Sequence, residues 1–187
     1  MKTIKRQISF LSREEVKQII NTCDTSLKGM RDRALLEVLF STGMRIHEAL
    51  NLKIEDFLAH DIKELTIIGK GGYQRTVFFS PIAMKAIRTY LNFLQEYNLV
   101  ELENEWLFDL TARAVQIMVK KRAERAGLKK RVSPHVFRHS LATDLLSKGV
   151  DIAFVSKFLG HRNIANTMIY AHVVDPQLKK IHEKLYK

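Results

Sequence analysis

Apolar positions in this chain mostly recur at helical spacing. Leu35, Val38 and Leu39 fall on one face of a segment spanning 28–41, which predicts a helix there, stopped by Gly43. Ahead of it, Ser12-Arg13-Glu14-Glu15 has the spacing of a capping box and predicts a helix to about Asn21. A short helix after Gly43 carries Arg45, Glu48, Ala49 and Leu50. The pattern then changes. Residues 64–68 and 75–79 are rich in β-branched and aromatic side chains, and the turn-forming 69–74 between them predicts a β-hairpin.

Ser80-Pro81 is a cap followed by proline at the first helical position, predicting a helix to about Tyr97. Residues 101–109 read as loop, with Trp106-Leu107-Phe108 inserted in the core. Thr111 caps a helix ending at Gly127, Ser133-Pro134 starts one to Lys148, and Asp151 caps one ending at Gly160. Asn163 caps the helix holding Tyr170, and Asp175-Pro176 starts a last helix with Leu178, Ile181 and Leu185 on one face. The expected fold class is α+β, mainly α-helical, with one small antiparallel sheet.

The 187 residues fit one domain with a short appendage, and a 46% hydrophobic content suffices for a sizeable core. Thirty-one basic against 20 acidic residues give +11, which favours a polyanionic partner, nucleic acid ahead of membrane. Cys23 is the single cysteine, so no internal disulfide forms and a reducing, cytoplasmic setting is compatible. No zinc-type cysteine pattern, bilayer-length apolar run or signal-peptide core is present.

The candidate chemistry is phosphate handling. His135 and Arg138 lie three apart, on one helix face, early in a helix where backbone N–H groups and the dipole favour an anion. Alone, such a pair is an ordinary surface motif. It is joined by His161 after Leu159-Gly160, by Tyr170, and by Arg45, which Glu48 can orient through a charge-assisted bond. Lys70 sits on a glycine-flanked hairpin turn. Two arginines, two histidines, a lysine and a tyrosine are a set that can hold a phosphate and attack it.

In this order the residues resemble the catalytic domain of tyrosine recombinases, the phage-integrase family, most nearly its Xer-like branch. The matching stretches are Ser41-Thr42-Gly43-Met44-Arg45-Ile46-His47-Glu48, Ile68-Gly69-Lys70-Gly71, Ser133-Pro134-His135-Val136-Phe137-Arg138-His139, and Leu159-Gly160-His161 through to Tyr170. The resemblance implies a helical catalytic domain of the DNA breaking-rejoining type over 10–174, a basic linker-like 1–9 and a C-terminal tail helix over 175–187. It implies that Tyr170 attacks a DNA phosphodiester and forms a 3′-phosphotyrosyl link. Arg45 and Arg138 clamp the phosphate, supported by Glu48; His161 donates to it; His135 assists the proton transfer at the tyrosine; Lys70 protonates the leaving 5′ oxygen. Neither metal nor ATP nor another cofactor is implied. Of the other tyrosines, Tyr90 and Tyr97 read as packing residues, Tyr73 as a turn residue and Tyr186 as terminal. His139 points to another helix face in a structural or supporting role, and His47, His60, His172 and His182 read as surface or capping residues.

DNA phosphate contacts are expected from Lys2, Lys5 and Arg6, and from Lys120, Lys121, Arg122, Lys129, Lys130 and Arg131. The helix over 111–126 is a candidate for base contacts or a solvated basic face. The tail helix either docks on a neighbouring protomer, in an oligomer of up to four on DNA, or packs in cis. Family members usually carry an N-terminal helical DNA-binding domain, which the resemblance does not place here; a partner recombinase or such a domain would complete the grip on DNA. Type IB topoisomerase-like relaxation and a non-catalytic DNA-binding regulator are the alternative functions. The expected site of action is the cytoplasm, at the nucleoid.

Overall fold

The computed structural model describes residues 10–58, 62–69, 71–99 and 105–170. Lys2, Lys5, Arg6, Lys70, His60, His172, His182, Tyr186 and the expected linker over 1–9 and tail helix over 175–187 lie outside the described residues.

Helix α1 (Arg13–Asn21) starts at the expected capping box: Ser12 Oγ accepts from Glu15 N at 3.1 Å, and Ser12 N donates to Glu15 Oε2 at 2.8 Å. Helix α2 (Leu27–Thr42) begins one residue earlier than predicted because Ser26 caps it, accepting from Gly29 N. It ends at Gly43, whose φ of 61° is the left-handed conformation that glycine adopts without steric cost. Ala34, Leu35, Leu36, Val38 and Leu39 of α2 are all fully buried, so this helix is apolar on most sides rather than along one stripe. It is the central post of the domain, packed by α4, α6 and α1.

Arg45 is the N-cap of α3 (Ile46–Leu50) rather than a residue within it. The hairpin forms as expected, with β1 (Glu64–Ile68) antiparallel to β2 (Gln74–Phe78). Its register sets Leu65 opposite Val77 and Ile67 opposite Arg75. The face shared by those four residues turns inward, since Ile67, Arg75 and Val77 are buried while Thr66, Gln74 and Phe78 are exposed. Helices α4 (Pro81–Glu96), α5 (Ala112–Arg125), α6 (Pro134–Ser147) and α7 (Ile152–Leu159) follow the predicted bounds closely.

Two expectations change. Leu107 and Phe108 enter the core, but Trp106, bridged to Lys53 at the edge of the domain, is 49% exposed. Asn163 Oδ1 does accept from Ala165 N at 2.8 Å, yet α8 (Ala165–Met168) is a single turn and Tyr170 lies just beyond it. The apolar interior divides into a large cluster around α2 and a smaller one of Leu141, Ala142, Leu146, Val155, Leu159 and Tyr170 between α6, α7 and the end of α8. No described helix is long and apolar enough to cross a membrane.

Candidate active site

The site forms where the ends of α2 and α7 meet the start of α6. Gly43 packs so tightly there that a Cβ would lie 2.6 Å from Leu159 Cδ2 and 3.0 Å from Leu141 Cδ2. Two helix-end carbonyls are buried there, and Arg138 satisfies both. Its Nη1 donates to Gly43 O and its Nη2 to Leu159 O, at 2.6 Å for the latter. Arg138 is 5% exposed. Burial, with Arg45 and Arg75 nearby, pulls its guanidinium down to about 10, so it remains charged at neutral pH.

Arg45 reaches the same place from the other side. Its Nη2 donates to Gly160 O at 3.4 Å, across 115 residues of sequence. Glu48 holds it as the spacing predicted: Arg45 N donates to Oε2 at 2.8 Å, and Arg45 Nη1 to Oε1 at 3.1 Å. Glu48 has a second partner that sequence reasoning missed. Arg75 on β2 binds it through both guanidinium nitrogens, at 2.8 and 2.7 Å, with the two side chains 5% and 7% exposed. Burial alone would raise the Glu48 carboxyl, but these bonds from Arg75 and Arg45 outweigh it and hold it down at about 2.

Gly160 ends α7 in the left-handed conformation (φ 66°), and His161 N then bonds back to Ser156 O at 3.0 Å. This helix-terminating turn aims His161 at the arginines. His161 Nδ1 shares a 2.7 Å hydrogen bond with Thr167 Oγ1, which is fully buried. Burial, then the positive fields of Arg138 and Arg45, push its imidazole down to about 4. His135 is lowered by the same causes, burial first and then Arg138 and Arg45, although its side chain lies on the exposed side of α6.

Tyr170 is 1% exposed, and its hydroxyl contacts His139 Nδ1. His139 sits one residue after Arg138 and four after His135 on α6, and it is His139 whose ring meets Tyr170. Burial pushes the phenol up to about 12, with Arg138 pulling the other way. His139 is lowered by burial, then by His135 and Arg138. Among the competing tyrosines, Tyr90 is buried and stacked on Phe108, whereas Tyr97 is 57% exposed against Phe93 and Tyr73 is 51% exposed in the hairpin turn. A small cavity of about 280 Å³ lies beside the cluster, lined by Arg45, Gly69, Tyr73, Arg75, Gly160, Arg162 and Asn166.

A larger open groove of about 800 Å³ runs between α5 and the 128–135 segment to His135. Lys120, Lys121, Lys129, Lys130 and Arg131, the basic residues expected to contact DNA, line it together with Arg113. Lys130 is partly engaged, donating to Phe10 O and Glu15 Oε2 at 2.9 and 2.7 Å. Arg122 is a correction. It is 4% exposed, paired with Asp32 at 2.8 Å and donating to Thr22 O, so it clamps α5 to α2 instead of facing a ligand. Arg122 falls at helical spacing from Val115, Met118 and Val119, which puts it on the buried stripe of α5.

The helical fold with its single hairpin, and two arginines converging on the Leu159-Gly160 break beside a buried tyrosine, define a class seen elsewhere. Residues 9–176 match the model of the phage integrase family, and the chain belongs to that family. It is 37% identical over 195 residues to tyrosine recombinase XerC of Oceanobacillus iheyensis, covering 98% of this chain and 63% of that protein. Its structure superposes on XerA recombinase with a TM-score of 0.75 at 29% identity, covering 100% of this chain and 66% of the other. With the XerH site-specific recombinase bound to palindromic difH substrate, in a post-cleavage complex, the TM-score is 0.79 at 26% identity, covering 100% and 56%. The chain thus carries a Xer-like tyrosine recombinase catalytic domain, and it spans about three-fifths of the length of the curated relatives it matches.

Proposed function

We propose that this chain is the catalytic part of a site-specific DNA recombinase that cuts and rejoins one strand through Tyr170. The observation that carries this reading is the convergence of Arg138 on Leu159 O and Arg45 on Gly160 O, from elements far apart in sequence, at the break that leads into His161. Both guanidiniums have remaining N–H groups for the non-bridging oxygens of a phosphate, where charge grows in the transition state. His161, neutral in the free protein, adds a further hydrogen-bond donor.

In the reaction, Tyr170 Oη forms a bond to phosphorus and the P–O5′ bond breaks. The phenol's proton passes to an imidazole. His139 is the ring in contact with it in the free protein, and His135 is the family candidate once DNA is bound. The 5′ oxygen takes a proton from a general acid, for which Lys70 is the candidate. The phosphotyrosyl bond retains the energy of the broken diester, so a second 5′-hydroxyl reverses each step onto a new strand. A phenol raised to about 12 is a poor nucleophile in the resting state, so binding of the phosphate and release of Tyr170 from its pocket belong to the activation step.

DNA would lie along the groove of Lys120, Lys121, Lys129 and Arg131, which ends at His135. Several protomers would assemble on it through the tail helix, in the compartment that holds the chromosome. The test is a duplex nicked near the scissile position, so that the cut fragment diffuses away and the adduct is trapped. A protein–DNA adduct that survives denaturant supports the reading, and its absence at saturating DNA contradicts it.

A further inference from the structure

We propose that Arg75 is a positioning residue for the cleavage reaction: by gripping Glu48 it fixes Arg45 and ties the hairpin and the His161 turn to one another. This inference rests on the function proposed above. Arg75 binds Glu48 through two nearly parallel bonds of 2.8 and 2.7 Å, and Glu48 in turn holds both the backbone and the side chain of Arg45. The same pair touches two further elements. A Cβ at Gly69, the residue before Lys70, would lie 3.3 Å from Glu48 Oε1 and 3.5 Å from Arg75 Nη1. A Cβ at Gly160, the residue before His161, would lie 2.6 Å from Arg75 Cδ. The Arg75–Glu48 pair is therefore the common floor of Arg45, of the arm leading to Lys70 and of the turn leading to His161.

Stability alone does not explain an arginine here. Its Nε is buried and has no hydrogen-bond partner, a cost that an apolar side chain of similar size would avoid. Buried ion pairs can often be exchanged for packed hydrocarbon without loss of stability. What hydrocarbon cannot supply is charge. Arg45, Arg75 and Glu48 together carry two positive charges and one negative, so Arg75 leaves the cluster a net positive charge for a phosphate. Without it, Glu48 would neutralise Arg45 on its own and be free to turn away from the geometry that presents Arg45.

The test is single-turnover adduct formation by the full chain on the nicked substrate, with a normal scissile phosphate and with an uncharged methylphosphonate in its place. Arg75→Met should slow adduct formation on the normal substrate by about tenfold or more, as expected when a stabiliser of transition-state charge is weakened. DNA affinity should stay unchanged within about twofold, because Arg75 is not in the groove that tracks the backbone. Arg75→Lys, which keeps the charge but loses the fork, should fall between Arg75→Met and the parent chain. On the methylphosphonate, where less charge develops, the gap between each variant and the parent should shrink to about twofold. Equal rates for Arg75→Met and the parent on the normal substrate, or a defect that persists undiminished on the methylphosphonate for both variants, overturns the inference. No adduct from the parent chain on either substrate overturns the proposed function itself, and this inference with it.

Discussion

His139 Nδ1 meets the hydroxyl of Tyr170, joining α6 to the turn beyond α8, with the two rings 5.5 Å apart and tilted by 54°. Burial lowers the imidazole and raises the phenol, so each partner rests in its neutral form at pH 7. Two groups able to exchange a proton are thus held in contact before any DNA arrives. His139→Ala should slow covalent adduct formation by about 100-fold, the usual size of a lost proton acceptor. His139→Gln, which can hydrogen-bond but cannot take the proton, should recover thermal stability and not rate. A wild-type rate in His139→Ala would assign the proton transfer to His135 alone.

Arg138 ties two helix ends together through Gly43 O and Leu159 O, so its replacement should cost stability as well as activity. Arg138→Lys cannot reach both carbonyls with a planar fork. Urea denaturation should show a loss of about 2 kcal/mol or more, the cost of leaving buried carbonyls unpaired. An unchanged unfolding midpoint would mean that these bonds contribute nothing net to the fold.

Glu48 and His161 make the domain sensitive to acid. Glu48 titrates at about 2 when folded against 4.5 ordinarily, so the stability it contributes is present above 4.5 and is lost as pH falls toward 2. His161 is depressed to about 4 from 6.5; the unfolded chain takes up its proton first, and stability falls as pH drops through that window. Glu48's shift corresponds to about 3 kcal/mol at most, from roughly 1.4 kcal/mol per pH unit. In a pH series of urea denaturations, Glu48→Gln should lie below the parent at pH 7 and converge on it near pH 2. Parallel curves across that range would show that Glu48 titrates normally.

Arg122 and the groove lysines should separate cleanly. Among the described residues, Arg122→Met leaves Asp32 with only Arg31 as an ion-pair partner, at 3.1 Å, and should destabilise the fold while leaving the salt dependence of DNA binding unchanged. Lys120→Ala, Lys121→Ala and Lys129→Ala should each reduce the slope of log affinity against log salt by about 0.9 with little effect on unfolding. Filter binding at several salt concentrations distinguishes the two classes, and a reduced slope for Arg122→Met would return that residue to the DNA-facing set.

Local signals carried most of this structure. Ser12, Ser80, Thr111 and Asp151 each cap the helix predicted for them, because capping is decided within four residues. Arg45, Glu48, Arg138 and His161 come together as their motifs imply. What was not legible depends on which face becomes buried. Arg75 shares the inward face of β2 with Val77, and a buried arginine demands a carboxylate; that two-residue period was the available signal, but its partner lies 27 residues away. His139 and Tyr170 are 31 residues apart, and their contact depends on how α7 and α8 fold back onto α6. Trp106 looked apolar enough to be buried, but it lies at the bridge to Lys53, and the chain enters the core only at Leu107 and Phe108.

Every role proposed for these residues depends on Tyr170 becoming covalently joined to a DNA 3′-phosphate. The most direct measurement is mass spectrometry of proteolysed adduct from the nicked substrate, comparing the parent chain with Tyr170→Phe. The expected result is a nucleotide on the peptide containing Tyr170, a free 5′-hydroxyl on the released strand, and no adduct from Tyr170→Phe. A nucleotide on Tyr73 or Tyr97, a 5′-linked adduct, or equal adduct from Tyr170→Phe would contradict it.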